Sequence, residues 1–298
     1  MQKNTALNPF DLDDNQAYCT WREQKLANYP VQASELIVNV EDPFHLSVDE
    51  KTALHRACRR ANMAIYDFGS DLSTDKVQIK TLGQQMGLER LDGNLCSDSD
   101  QISSLHVVEQ GRHAGYIPYT NRPIQWHTDG YYNKSDEQIR GMILHCVHAA
   151  EAGGENALLD HEIAYILLRD ENPAFIKALM QPDVMTIPAN IENGVEIRAA
   201  QSGPVFSVDL SGNLHMRYTA RTRSIEWKQD SLTQSAVKCL RDLLFGESPH
   251  IYHLRLISGQ GLICNNVLHN RATFSDGDDP LQQRMLYRAR YFDRIQAI

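Results

Sequence analysis

His127 and Asp129, in the stretch Trp126-His127-Thr128-Asp129-Gly130, and a lone histidine far downstream, in Leu268-His269-Asn270-Arg271, are the side chains of this protein best placed to do chemistry. If residues 125–129 are extended, positions i and i+2 share one face of a sheet, so His127 and Asp129 point into the same space. His269 can complete a set of two histidines and one carboxylate around a single ion. That set leaves coordination positions open, which is the ligand pattern of non-haem Fe(II) oxygenases. Arg284 opens the run Arg284-Met285-Leu286-Tyr287-Arg288-Ala289-Arg290. A guanidinium near such an iron suits the far carboxylate of 2-oxoglutarate, through a bidentate pair. In a strand Arg284, Arg288 and Arg290 share parity and can face one cavity.

Each of these residues also has a plainer reading. His127 and Asp129 alone fit a strand histidine paired with a structural carboxylate, and Arg288 and Arg290 fit ordinary salt bridges. His145 and His148 are three apart in an apolar run, so in a strand they face opposite sides and cannot share a metal. The same geometry applies to His250 and His253. Trp126 alternates away from His127 and reads as core. One of Tyr131 and Tyr132 should line the cavity, Asp160 reads as a turn or cap residue, and Arg217 and Arg221 receive no role.

The elements that must position these groups change in texture along the chain. The first ~45 residues read as irregular lead-in. Ser47-Val48-Asp49-Glu50 fits a capping box, with Ala53, Leu54, Ala57, Cys58 and Ala61 following at helical spacing. Residues 63–68 read as a strand and 76–86 as a helix capped by Gly87. Residues 90–104 form a polar stretch that reads as a boundary or a loop over the site. From Leu105 on, short strands are expected at 141–147, 157–160, 184–187, 205–209, 214–218, 251–257, 261–265 and 285–292. Asn172-Pro173 starts a helix, and another runs over 230–245, closed by Gly246. The expected fold is therefore mainly β with covering helices, a jelly-roll core over residues 105–298, and a helix-and-strand lead-in, residues 1–104, packed on it.

Composition bounds the function classes. A chain of 298 residues with 42% hydrophobic residues can bury a substantial core. Its 29 basic and 38 acidic residues give a net charge of −9, with no basic face for nucleic acid. No apolar run approaches the ~20 residues needed to span a bilayer, and the polar amino terminus lacks a signal-peptide core. Six scattered cysteines read as reduced thiols. The expectation is a cytoplasmic protein acting on a small molecule, with no nucleic-acid or membrane partner.

Taken in order, the helix–strand–helix lead-in, Trp-His-Thr-Asp, the turn Gly153-Gly154-Glu155-Asn156, the run Asn265 to Arg271 and the terminal arginine strand resemble the TauD/TfdA family. The resemblance extends from about Ala53 to Phe292. It implies a double-stranded β-helix, Fe(II) on His127, Asp129 and His269, and 2-oxoglutarate held by Arg284. It implies dioxygenase chemistry with O2, releasing succinate and CO2. Family members that halogenate lack the carboxylate at Asp129, so its presence implies hydroxylation, alone or followed by collapse to an aldehyde and a leaving group. The taurine branch has a threonine at the Gly-Gly turn where this chain has Asn156, whose amide can also donate. Residues 119–160 are more similar to the γ-butyrobetaine branch, where Tyr119 matches an aromatic cage position. A second cage position falls on Arg290, which would repel a trimethylammonium group. Arg288 falls where the taurine branch binds a sulfonate, and Tyr132 matches a substrate contact there. The substrate implied is small, polar and anion-bearing. Relatives are often dimers or higher oligomers, so a homo-oligomer stays open. Two rivals also stay open: a zinc-dependent hydrolase or isomerase on a cupin-like barrel, which gives Arg284 no task, and a non-catalytic barrel that binds an organic acid.

Overall fold

The computed structural model describes residues 8–69, 75–93, 97–111, 113–221, 223 and 225–296. The chain begins with α1 (Asn15–Asn28), β1 (Ile37–Asn39), α2 (Val48–Ala61), β2 (Met63–Asp67) and α3 (Lys76–Gln85). β3 (Ser103–Leu105), β4 (Ile124–His127), β5 (Gly141–His148), β6 (Ala152–Gly153) and β7 (Asn156–Leu159) follow. Helices α4 (His161–Glu171) and α5 (Pro173–Leu179) lead to β8 (Met185–Ile187), β9 (Asn190–Glu192) and β10 (Val195–Arg198). Next come β11 (Gln201–Gly203), β12 (Phe206–Val208), β13 (Leu214–Met216) and β14 (Glu226–Trp227). The chain ends with α6 (Ser231–Phe245), β15 (Tyr252–Leu254), β16 (Gln260–Cys264), β17 (Leu268–Arg271), β18 (Phe274–Ser275) and β19 (Met285–Tyr291).

Two sheets carry the site. One has six strands in the order β1-β2-β16-β5-β19-β3, and the other has four, β15-β7-β17-β4. Successive strands β4, β5 and β7, and later β15, β16, β17 and β19, alternate between them, so each crossing buries one face of each sheet against the other. Alternation along β19 sorts its side chains. Leu286, Arg288 and Arg290 lie opposite Cys146, Leu144 and Met142 of β5, and Arg288 reaches the Asp129 carboxylate beyond the end of β4. Tyr287 and Tyr291 take the other face, where Tyr287 stacks with His145 and the Tyr291 hydroxyl abuts Gly83 of α3. His145 stacks in turn on Tyr66 and is wholly buried.

The capping box at the start of α2 is formed: the Ser47 hydroxyl accepts from Glu50 N, and the Glu50 carboxylate accepts from Ser47 N at 2.7 Å. The strands expected at 63–68, 141–147 and 285–292 and the helices at 76–86 and 230–245 are present, with ends shifted by a residue or so. Three features differ from the sequence reading. The lead-in is not irregular, because α1 and β1 lie in it. Helix α1 buries Ala17, Tyr18 and Lys25, a face too polar to show a helical stripe. Lys25 instead docks α1 through ion pairs to Asp160 (2.7 Å) and Glu162 (2.6 Å). Helix α4 escaped detection because it buries residues nearly all round, Ile163, Ala164, Tyr165, Ile166 and Leu168 among them. The β9–β10 hairpin, mostly exposed, was missed as well. The first 105 residues supply β1, β2 and β3 to the six-stranded sheet. Among the described residues, no helix is long and apolar enough to cross a membrane.

Candidate functional site

Backbone pairing sets the candidate metal-ligand side chains. His269 of β17 lies directly opposite His127 of β4, which brings the two imidazole centroids to 4.2 Å. The strand expected to run through Asp129 stops at His127, because Thr128 turns aside: its N–H donates to Tyr218 O and its hydroxyl accepts from Tyr218 N. Asp129 sits in the turn that follows. Asn266, just before β17, grips that turn, accepting from Asp129 N (2.8 Å) and donating to Asp129 O (2.9 Å) and Ile139 O (2.6 Å). Gly130 has φ +66°, and a Cβ there would fall 2.3 Å from the Ile139 side chain, so only glycine closes the turn. Ligand atoms of His127, Asp129 and His269 all lie within 4.8 Å of one another.

The hydrogen bonds aim the ligands. Nδ1 of His127 faces its neighbour Gln125 O at 2.9 Å, and Nδ1 of His269 faces Val267 O at 3.0 Å. A carbonyl only accepts, so each Nδ1 carries the proton and each Nε2 presents a lone pair. Burial, and then His127, push the His269 imidazole down to about 4, which keeps it neutral. Asp129 is buried, and that alone would raise its carboxyl. The Arg288 guanidinium first, then the contact with His127 and the charge of Arg290, hold it well below the usual carboxylate range. Its Oδ2 has no hydrogen-bond partner. A buried carboxylate oxygen left without a partner beside two imidazole lone pairs fits a divalent cation.

Arg284 and Asn156 line a small cavity with Cys146, Gly153, Gly154 and Leu286. The Arg284 backbone is fixed by Asp276, its guanidinium lies 5.1 Å from the Phe274 ring, and it is only 6% exposed. Burial lowers it to about 10, and it has no ion pair among the described residues. Asn156 donates one amide hydrogen to Asn270 O at 2.7 Å, so its carbonyl oxygen and second N–H remain for a ligand. Gly153, at φ +75°, permits the turn, since a Cβ there would lie 2.3 Å from Thr273 O.

The remaining sequence candidates separate. Arg288 stands beside the metal ligands, 3.5 Å from Asp129 Oδ1. Arg290 is 2% exposed, pairs with Asp92 and donates to the Tyr132 hydroxyl at 2.8 Å, so its charge is taken up inside the wall. Tyr132 is thereby tied to that pair. Tyr119, expected at a substrate cage, is 2% exposed and stacks on His113 at 4.4 Å within the core. The sequence reading missed Asn266 and Phe274, although both lie close to motifs it singled out. It also left Arg217 without a role. Arg217 ties together the backbone carbonyls of Tyr131, Met185, Gln201 and Gly203, and no sequence signal marks such a role.

The family described as "Taurine catabolism dioxygenase TauD, TfdA family" matches residues 24–290. The chain belongs to that family. Membership agrees with the cofactor set expected above, Fe(II), 2-oxoglutarate and O2. Two curated relatives are uridine-5'-phosphate dioxygenases. One, from Amycolatopsis sp, is 31% identical over 204 residues, covering 67% of this chain and 71% of the relative. The other, from Streptomyces sp, is 29% identical over 202 residues, covering 65% and 71%. Among solved structures, the non-heme iron oxygenase OrfP in complex with Fe and alpha-ketoglutaric acid superposes with a TM-score of 0.59 at 14% identity, covering 83% of this chain and 80% of that one. Asparagine oxygenase in complex with Fe(II), a hydroxyasparagine and succinate gives 0.56 at 11% identity, covering 86% and 93%. At such identities these two likenesses speak to the fold alone.

Proposed function

We propose that this protein is an Fe(II)- and 2-oxoglutarate-dependent dioxygenase that oxidises a small, anion-bearing metabolite and releases succinate and CO2. The observation that carries the reading is the partnerless Asp129 Oδ2 set beside the Nε2 lone pairs of His127 and His269, together with Arg284, which lacks a counter-ion among the described residues and lines a small cavity with Asn156. In this reading the alternating sheets form a double-stranded β-helix. The names of the curated relatives favour a nucleoside 5'-phosphate as the substrate class. Five described cysteines are free thiols, which suits a reducing cytoplasm.

His127, Asp129 and His269 would hold the iron, which when bound supplies the redox chemistry that couples O2 to oxidation of 2-oxoglutarate and substrate. The protein's part is to place and shield the reactants. The Val267 and Gln125 carbonyls keep both imidazoles in the ligating tautomer. Arg284, flanked by Phe274, presents its fork to the distal carboxylate of 2-oxoglutarate, and Asn156 offers an amide hydrogen to the same molecule. Arg288 adds positive potential beside the Asp129 carboxylate and faces the space where substrate would sit. A zinc hydrolase would use the same three ligands but leaves the buried Arg284 charge unexplained.

The test is anaerobic titration of the metal-free protein with Fe(II) and 2-oxoglutarate, following the visible charge-transfer band of the chelate. A band in the wild type that disappears in His269→Ala is the expected result. Iron binding with no band would sink the proposal.

A further inference from the structure

The walls of the site hold more positive charge than the protein's own carboxylates neutralise. The chain as a whole is acidic, at −9, so the surplus is local. Two arginines of β19 at the site have carboxylate partners: Arg288 with Asp129 and Arg290 with Asp92. Around the site, the buried Arg217, Arg271 and Arg284, the half-buried Arg198 and the exposed Arg221 have none among the described residues. Three of these five have other duties. Arg217 is occupied by backbone carbonyls, and Arg271 reaches the carbonyls of Thr120 and Arg122. Arg284 faces the Asn156 cavity.

Arg198 and Arg221 remain, the first beside Tyr132 and the second beside Tyr131, whose rings are 5.1 Å apart. Arg198 ends the β9–β10 hairpin, with its guanidinium 5.7 Å from the Tyr132 ring. It is partly buried, and burial lowers its basicity. It spends two donors on the carbonyls of Ala199 and Pro188, which leaves others of its five free. Arg221 follows Thr219, the residue bridged to the metal ligand His127. Burial raises the Tyr131 phenol, and the positive charge of nearby Arg221 works against that rise. The Tyr131 ring stands edge-on to His127, at 6.5 Å between centroids. The two tyrosines that follow the metal turn are therefore flanked by two guanidiniums with no carboxylate. None of these residues lines the Arg284 cavity.

We propose that Arg198 and Arg221, with the Tyr131 hydroxyl, form the subsite for the substrate's phosphomonoester, separate from the 2-oxoglutarate subsite at Arg284. The inference rests on the dioxygenase reading and deepens it. A phosphomonoester carries about −1.5 to −2 charges at pH 7, which matches two guanidiniums, whereas one carboxylate would leave a cation unneutralised. The planar forks also suit phosphate oxygens better than an ammonium would. The site discriminates by charge: a nucleoside without its phosphate leaves both guanidiniums without a counter-ion.

The experiment is calorimetric titration of the anaerobic protein, loaded with Fe(II) and 2-oxoglutarate, with uridine 5'-monophosphate and with uridine. Variants are Arg198→Gln, Arg221→Gln, the double variant, and the charge-keeping Arg198→Lys and Arg221→Lys. Each Gln change should weaken nucleotide binding at least tenfold and the pair about a hundredfold. Uridine affinity and the charge-transfer band before nucleotide is added should not change, and the Lys variants should regain part of the loss. If the double variant binds the nucleotide within twofold of wild type, or wild type binds uridine as tightly as the nucleotide, the subsite is refuted while the band still supports the dioxygenase. If no band forms, the same titrations on the metal-free protein decide the subsite on its own, and the dioxygenase reading falls separately.

Discussion

Asn266 should govern both the stability of the protein and its hold on iron, although it touches no metal. It is 1% exposed, sits at φ 51° and makes three hydrogen bonds to the Asp129 turn and Ile139. Replacing it with alanine leaves the buried Asp129 N–H without an acceptor, a loss of roughly 2 kcal/mol, and removes a donor from two carbonyls at about 1 kcal/mol each. Alanine in the left-handed region adds about 1 kcal/mol of strain, which glycine avoids. Asn266→Gly should therefore destabilise by about 4 kcal/mol and Asn266→Ala by about 5 kcal/mol. With its backbone released, the Asp129 carboxylate should lose its aim, and iron affinity should fall on the order of 10- to 100-fold. Urea unfolding of the metal-free protein measures the first effect, and Fe(II) titration in the presence of 2-oxoglutarate measures the second. An Asn266→Gly protein that unfolds within about 1 kcal/mol of wild type and binds iron equally well would refute the argument.

Three further outcomes are expected. Arg284→Met should raise the 2-oxoglutarate concentration for half-maximal band formation on the order of a hundredfold, through loss of a charge-assisted pair, with iron binding measured alone left unchanged. Lys25→Met should cost about 3–5 kcal/mol in urea unfolding at neutral pH, because Asp160 would stay buried without its ammonium partner and Glu162 would keep only the more distant Arg294; unchanged stability would show that the ion pairs do not dock α1. His145, pushed down to about 4 by burial, binds no proton in the folded state between pH 6.5 and 4, whereas the unfolded chain does. Its stabilising effect is complete above pH 6.5 and fades as pH falls towards 4, by about 3 kcal/mol in all. His145→Phe, compared with wild type by unfolding across that range, should flatten the acid limb.

How far the site could be read from sequence depended on whether each residue's neighbours were local. His127 and Asp129 were legible because alternation within a few residues puts them on one side, and this survived even though the strand ends early and Asp129 lies in a turn. Arg288 and Arg290 could not be told apart, since they are the same residue type on the same face of β19. Asp92 and Tyr132, from distant parts of the chain, engage the second and leave the first beside Asp129. Tyr119 fits an aromatic cage by position, yet its ring is covered by His113 and the core. Helix α1 was invisible for a related reason: it is held by buried ion pairs, and a lysine on an inner face does not register as hydrophobic periodicity.

By itself the sequence determined the candidate ligand set, two imidazoles and a carboxylate with an arginine following, because residue types and short-range alternation suffice to propose it. It also determined the sheet-rich class through its short apolar runs and turn residues. Only the tertiary structure decided that Nδ1 of each histidine is tied to backbone and that one Asp129 oxygen is left without a partner. It likewise decided which arginines keep an unneutralised charge. Those properties depend on which groups meet across sheets, and a buried guanidinium acquires its role from the carboxylates and carbonyls that folding brings, or fails to bring, within reach.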